Sequence, residues 1–233
     1  MEDIAHPTAS MTGVVNGDGF DATIDGDEYH FTDFLSAVRG VKVELAERLL
    51  EDCPAELFLH AATVVNDHCT IIIAGTSGSG KTTLALELVR RGMRYVTDEF
   101  TVIDGKTILP FPRSAVRKFE GPIPPGVNLE IANGSNYRSY MLPDRRTGLQ
   151  PREVEQLWLI FPSRVECEHG SVRAIGSGEA WAQLMPSVFD IVGQETGLWP
   201  ALSSVVSKAQ SCVLEYGDAR RDIDLALDLL GAA

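Results

Sequence analysis

The sequence predicts an α/β domain on a mixed sheet, preceded by a small β-rich N-terminal layer. Three observations support this fold class. Short β-type runs joined by Asn-Gly and Asp-Gly dipeptides fill residues 13–31, apolar runs alternate with helical patterns from residue 56 onward, and residues 219–231 form an amphipathic pattern with a 3.6-residue period. We therefore expect residues 1–55 to form the β-rich layer and residues 56–233 to form the main domain.

The N-terminal segment "GVVNGDGFDATIDGDEYHF" predicts short strands, because its Asn-Gly and Asp-Gly pairs tolerate the positive φ of tight turns. Its acidic residues lack the alternate-position ligands and terminal glutamate of an EF-hand loop. Turns are therefore favoured over a calcium site. Residues 43–51 follow with a helical pattern.

The main domain begins with two β-rich runs in residues 56–74, hinged at Asn66-Asp67, and a helical pattern covers residues 81–91. A short strand in "MRYVTDEF" and a hairpin about Asp104-Gly105 come next. Residues 112–151 are rich in proline, glycine, asparagine and arginine, which is typical of a functional lid or a mobile loop. The remaining predicted elements are the strands "EVEQLWLIF" and "SCVLEY" and the helices "GEAWAQLM", "PALSSVVSKAQ" and "ARRDIDLALDLLG".

Composition narrows the class of protein. The net charge of −13 is spread along the chain, so no basic face is expected to bind nucleic acid. No run approaches the roughly 18 apolar residues that cross a bilayer, and the first residues carry neither a basic region nor an apolar run, so we expect a soluble cytoplasmic protein with no membrane partner. Four widely spaced cysteines predict reduced, mostly buried thiols.

One motif carries a specific chemistry. Residues 75–82, "GTSGSGKT", match the P-loop (Walker A) pattern G-x-x-x-x-G-K-[ST] between a predicted strand and a predicted helix. The glycines let successive N–H groups point at phosphates, Lys81 adds a mobile positive charge, and Thr82 offers a hydroxyl to Mg²⁺. The motif predicts nucleoside triphosphate binding by Gly75, Thr76, Ser77, Gly78, Ser79, Gly80, Lys81, Thr82 and Thr83.

A carboxylate pair follows the next predicted strand. A P-loop enzyme needs a carboxylate that holds Mg²⁺ or orients a nucleophile, and "RYVTDEF" offers Asp98 and Glu99. A second acidic group suits a general base that takes a proton from an attacking hydroxyl. Thr82, Asp98 and Glu99 are therefore the predicted metal ligands, with the division of roles within the acidic pair left open. The sequence has no guanine-recognition "NKxD", so ATP is expected while GTP is not excluded.

The stretch "GTSGSGKTTLALELVRRGMRYVTDEF" resembles the P-loop and following strand of the HPr kinase/phosphorylase family, whose loop also resembles that of the PEP carboxykinases. His60 lies ahead of the loop where that family has its active-site histidine, and Asp98-Glu99 stands where the family has Asp-Asp. Looser similarity, over roughly residues 55 to 231, is to short HPr-kinase-like proteins of peptide-modification clusters, including lasso-peptide clusters.

The resemblance implies a kinase that uses Mg²⁺ and ATP to phosphorylate a hydroxyl, such as a serine of a peptide or small protein. Its implied catalytic residues are His60, Lys81, Asp98 and Glu99. Arg113 is a further catalytic candidate from the sequence itself, because a cation after its proline-marked turn can brace the triphosphate or the transferring group. Two alternatives stay open: a kinase for a small hydroxylated metabolite such as free serine, and a nucleotide-binding regulator with little turnover. The arginine-bearing loop linked to the family's phosphorylase reaction has no clear counterpart, which favours a one-way kinase. Family members often form homo-oligomers, an expectation that extends to this chain.

Overall fold

The computed structural model describes residues 10–17, 19–51, 53, 55–111, 115–118, 137–140, 150–189 and 195–231. The chain divides into two compact units, Met1–Pro54 and Ala55–Ala233. Strands and helices occur in both units, and the second unit contains a sheet with both parallel and antiparallel pairs. The predicted α/β class with a mixed sheet is thereby confirmed.

The N-terminal unit is an antiparallel meander followed by one helix. Its elements are β1 (Met11–Asn16), β2 (Gly19–Ile24), β3 (Asp27–Phe31) and α1 (Phe34–Glu51). The helix begins at Phe34, well before the predicted range of 43–51. Asp33 explains the earlier start, because its carboxylate accepts a 2.9 Å hydrogen bond from the Ser36 N–H while the Asp33 N–H donates to the Ser36 hydroxyl at 3.2 Å. Such reciprocal bonding at the N-cap starts a helix.

The second unit is organised around a six-stranded sheet with the order β14-β15-β13-β6-β5-β7. The strand β13 pairs in parallel with β15 and β6, whereas β5 runs antiparallel to both of its neighbours, β6 and β7. The segment 56–74 holds three strands rather than the two runs predicted, because the chain breaks at His60. The six strands are β5 (Ala61–Val65), β6 (Cys69–Ala74), β7 (Arg94–Thr97), β13 (Gln156–Arg164), β14 (Ser171–Ile175) and β15 (Gln210–Tyr216), whereas β4 (Leu57–Leu59) belongs to a second sheet.

A four-stranded sheet has the order β12-β9-β8-β4, with β8 (Thr101–Asp104), β9 (Thr107–Leu109) and β12 (Arg152–Glu153). The β8–β9 hairpin turns at the predicted Asp104-Gly105, where Gly105 has a φ of 56°. Most of the predicted lid lies outside the described residues. The described part contains β10 (Ala115–Lys118) and β11 (Tyr137–Tyr140), which pair antiparallel, so this portion is a ribbon.

Helices cover both faces of the six-stranded sheet. They are α2 (Lys81–Arg90), α3 (Ser177–Leu184), α4 (Glu195–Lys208) and α5 (Ala219–Leu230), and a 3₁₀ turn at Met185–Ser187 follows α3. Ile71 and Ile73 of β6 share one buried cluster with Leu88 of α2, while Ile72 shares the opposite cluster with Leu202 of α4. Burial on both faces explains why β6 reads as a continuous apolar run.

All four cysteines are reduced thiols, with Cys69 and Cys212 buried and Cys53 and Cys167 partly buried. Burial raises the pKa of the Cys212 thiol to about 12. Among the helices in the described ranges, none is long and apolar enough to cross a membrane.

Candidate functional site

Strand order brings the predicted site residues to one edge of the six-stranded sheet. In the antiparallel register, Ala61 of β5 pairs with Ala74 of β6, and Thr63 of β5 pairs with Thr97 of β7. The beginning of β5 therefore lies between the ends of β6 and β7. Consequently His60, the loop after β6 and the carboxylate pair after β7 meet at the same edge.

The loop at residues 75–80 connects β6 to α2 with a backbone that requires glycine. Gly78 and Gly80 have φ values of 87° and 99°, which favour glycine. A Cβ on Gly80 would lie 1.5 Å from the Tyr216 hydroxyl, which donates a 2.9 Å hydrogen bond to the Ser79 carbonyl. The loop is therefore held against the end of β15, and its last residues lead directly into the N-terminus of α2.

Lys81 extends back over this loop. Its ammonium group donates hydrogen bonds to the carbonyl oxygens of Gly75 at 2.7 Å and Thr76 at 3.3 Å, and the residue is only 7% exposed. Burial lowers the pKa of Lys81, while the nearby carboxylates of Glu99 and Asp98 act in the opposite direction. A poorly hydrated cation so placed attracts a phosphate more strongly than a solvated lysine does.

Asp98 is fixed by two hydroxyl groups. Thr82 donates to Asp98 Oδ2 at 2.9 Å and Tyr95 donates to Oδ1 at 2.8 Å, and Asp98 is 5% exposed. Glu99 is partly buried, and its N–H donates to the Thr97 hydroxyl at 3.3 Å. The neighbouring carboxylates therefore have different surroundings: Asp98 is buried beside α2, and Glu99 has access to solvent.

His60 is the first of a row of aromatic rings. Its backbone N–H donates a hydrogen bond to the Ser187 carbonyl at 2.6 Å, and its imidazole ring stacks on the Phe189 ring with 5.9 Å between centroids. Phe189 contacts Phe100 at 5.1 Å, and Phe100 contacts Phe111 at 5.0 Å. The rings of Phe100, Phe111 and Phe189 are partly exposed, and we call these three residues the aromatic wall.

The structure thus brings together most of the predicted site. The loop residues, Thr83 in the first turn of α2, Asp98, Glu99 and His60 share one edge, whereas Arg113 lies outside the described residues. Sequence reasoning missed Tyr95, Tyr216 and the aromatic wall. The β8–β9 hairpin could have predicted one contact of the aromatic wall. Its register pairs Val102 with Leu109 and therefore places Phe100 opposite Phe111.

The hydrogen-bond donors and the oxygen ligands at this edge of the sheet suit a triphosphate bound together with Mg²⁺. Within the described ranges, the Ser79 hydroxyl is buried with no hydrogen-bond partner, so it can donate to a phosphate oxygen. The α2 N-terminus and the Lys81 ammonium supply further positive potential. Thr82 and Asp98 present hard oxygen ligands, the type that Mg²⁺ prefers.

Comparison with protein-family models and with curated protein sequences finds no match to this chain. Among solved structures, the chain is similar to the HPr(Ser) kinase/phosphatase from Coxiella burnetii, with 14% sequence identity and a TM-score of 0.29. That similarity covers 75% of this chain and 93% of the Coxiella chain. The function is therefore inferred from the geometry of the site.

Proposed function

We propose that this protein is a P-loop kinase of the HPr kinase/PEP carboxykinase type that uses Mg²⁺ and ATP to phosphorylate a hydroxyl group. The observation that carries the proposal is the 2.9 Å hydrogen bond from the Thr82 hydroxyl to Asp98. This bond couples the loop to the carboxylate pair after β7. A phosphate-binding loop, a ligand pair for Mg²⁺ and a second carboxylate then stand together, which is the set that phosphoryl transfer needs.

The binding role falls to the loop and the start of α2. The Lys81 ammonium, the Ser79 hydroxyl and the backbone N–H groups of the loop hold the phosphates. Thr82 and Asp98 hold Mg²⁺, which when bound neutralises negative charge on the transferring group. GTP is not excluded, because these contacts involve only the phosphates.

The proton of the acceptor hydroxyl goes to Glu99. Asp98 already accepts two hydroxyl hydrogen bonds and is buried, so it is poorly placed to meet an acceptor arriving from solvent. Glu99 follows Asp98 in the chain and is partly exposed, and its negative charge acts to raise the pKa of Lys81. We therefore assign Asp98 to the metal and Glu99 to the general base.

His60 completes the site on the side of β5. Stacking on Phe189 fixes the plane of its ring, and the backbone bond to Ser187 fixes its position. From there the imidazole can donate a hydrogen bond to a transferring group, which stabilises charge that develops during transfer.

The acceptor we propose is a serine hydroxyl of a peptide or small protein. The aromatic wall supports this choice, because three partly exposed phenylalanine rings offer apolar surface beside Glu99. Neighbouring side chains of a peptide can cover that surface, which is favourable, whereas free serine brings no apolar group to it.

A phosphotransfer assay read by mass spectrometry tests the proposal. Wild-type protein is incubated with Mg²⁺ and ATP and with three acceptors: a serine peptide with apolar neighbours, the same peptide with polar neighbours, and free serine. We expect one phosphate on the apolar peptide, formed by wild type and by the control Lys208→Ala, in which an exposed lysine of α4 is removed. Lys81→Ala should form none.

Each other result has a defined meaning. Transfer to free serine alone would contradict the peptide acceptor and favour a small-metabolite kinase. Tight ATP binding by wild type with no transfer to any acceptor would contradict the kinase and favour a nucleotide-binding regulator.

A further inference from the structure

A cavity of about 560 Å³ lies at the same sheet edge, beyond the ends of β13 and β15. It is lined by residues 164–168, which end β13 and begin the following turn, and by Gly217, Asp218 and Arg221. Its volume is within the range of small-molecule sites, about 300–1,000 Å³. None of these residues has a role in the phosphotransfer chemistry described above.

The cavity lies on the side of the phosphate loop opposite the carboxylate pair. In the order β15-β13-β6-β5-β7, the loop follows β6, and Asp98 follows β7 on one side. On the other side, the hydroxyl of Tyr216, the last residue of β15, donates to the Ser79 carbonyl at 2.9 Å. Gly217 and Asp218 come next in the chain and line the cavity.

This placement determines where the rest of a bound triphosphate lies. Its terminal phosphate belongs near Lys81 and the carboxylate pair, where the acceptor must also enter. The nucleoside must then extend toward β13 and β15. Two strand spacings, about 10 Å, separate β6 from β15, and the inner phosphates with a ribose can span that distance.

We propose that the cavity binds the nucleoside of the triphosphate, an inference that rests on the proposed function. The carboxylates of Glu166, Glu168 and Asp218 can accept hydrogen bonds from ribose hydroxyls and from amino groups of a base. Val165 adds apolar surface against which a base can pack. The chemical class of the ligand is a ribonucleoside joined to a triphosphate.

The wall of this cavity is preformed. A Cβ on Gly217 would lie 2.5 Å from the Cys167 carbonyl oxygen, so only glycine allows the turn after β13 to pack so closely. The Asp222 carboxylate accepts backbone hydrogen bonds from Gly217 at 3.0 Å and Asp218 at 3.1 Å, and the Val165 N–H donates to the Tyr216 carbonyl at 3.0 Å. A site fixed in this way loses little conformational entropy when a ligand binds.

Cys167 allows a direct test, because its partly buried thiol lines the cavity. Cys53, also partly buried but in the N-terminal unit, provides a control in the same molecule. Iodoacetamide labelling of each cysteine is followed by peptide mass spectrometry with Mg²⁺-ATP or Mg²⁺-tripolyphosphate. At ten times its dissociation constant, ATP should slow labelling of Cys167 about tenfold by mass action, while tripolyphosphate changes it less than about twofold. Cys53 should respond to neither ligand.

A pair of variants provides the second measurement. Val165→Phe places a larger ring on the cavity wall, where the base would pack, and should weaken ATP binding by about tenfold or more while leaving tripolyphosphate binding within about twofold. Val43→Phe makes the same change at an exposed position of α1, which is 51% exposed, and should alter neither affinity.

The outcomes separate the two proposals. Equal protection of Cys167 by both ligands, or ATP binding without protection, would overturn the nucleoside site. Neither result would contradict triphosphate binding by the loop. Failure of wild type to bind either ATP or tripolyphosphate would overturn the proposed function, and the nucleoside site with it.

Discussion

Two buried aspartates stand on opposite sides of the phosphate loop, and they are held in different ways. Asp98, 5% exposed, accepts hydrogen bonds from the hydroxyls of Thr82 and Tyr95. Asp222, 2% exposed, accepts bonds from the backbone N–H groups of Gly217 and Asp218 and from the guanidinium of Arg221. Hydroxyls can rotate to new partners, whereas backbone amides cannot. Asp98 can therefore exchange its hydroxyl partners for a cation, whereas the hydrogen bonds of Asp222 stabilise the fold.

The largest expected effect is on the hydroxyl-held aspartate. Asp98→Asn removes the negative charge beside Thr82 but keeps the shape of the side chain, so turnover should fall by about 10²–10³-fold with little change in thermal stability. Steady-state kinetics and thermal melting are measured on the same preparation. Asp104→Asn, in the exposed hairpin turn, serves as the control. Retention of turnover within a few-fold of wild type would contradict a role for Asp98 in the chemistry.

The amide-held aspartate should show the opposite behaviour. Asp222→Asn replaces a buried acceptor of backbone and guanidinium hydrogen bonds, and it should lower the free energy of unfolding by about 1–3 kcal/mol near neutral pH. Denaturant titration measures this change. Asp228→Asn, at an exposed position of the same helix, should have little effect.

The pH dependence of this loss has a definite sign. The Arg221 guanidinium, followed by backbone N–H groups, lowers the pKa of Asp222 below its ordinary value. The stabilisation is therefore complete above the ordinary aspartate pKa of about 3.9 and is lost as pH falls toward the folded-state value. The difference in unfolding free energy between wild type and Asp222→Asn should shrink on acidification, and a difference independent of pH would contradict this origin.

The smallest expected effect comes from the hydroxyl that positions Asp98. Tyr95→Phe removes one donor, at 2.8 Å, and leaves the bond from Thr82. If the poorer orientation of Asp98 raises the activation free energy by about 1 kcal/mol, kcat should fall roughly fivefold while the ATP affinity stays unchanged. Tyr29→Phe, in the N-terminal unit, is the matched control. An unchanged kcat would show that Asp98 keeps its orientation without Tyr95.

Local features of the sequence were sufficient to predict part of this structure. The apolar run before residue 75 and the helical pattern after residue 80 predict β6 and α2, and the Asp104-Gly105 turn predicts the β8–β9 hairpin. These elements depend on contacts between residues close in sequence. The early start of α1 was also readable, because Asp33 and Ser36 form a capping pair, although periodicity alone suggested a later start.

Other features depend on distant contacts. The position of His60 at the same sheet edge as Asp98 follows from β5 lying antiparallel between β6 and β7, and no local pattern specifies this order. The Tyr216 bond to Ser79 joins residues 137 positions apart. The cavity depends on the packing of the turn after β13 against Gly217, for which the sequence offers only an isolated glycine.

Calorimetric titration of the protein with Mg²⁺-ATP tests the central claim, that the loop after β6 holds a triphosphate through Lys81. Wild type and Lys208→Ala should bind with the same affinity, and Lys81→Ala should bind at least about tenfold more weakly, since a buried charge-assisted contact is lost. Equal affinity of wild type and Lys81→Ala, or no binding by wild type, would contradict the account.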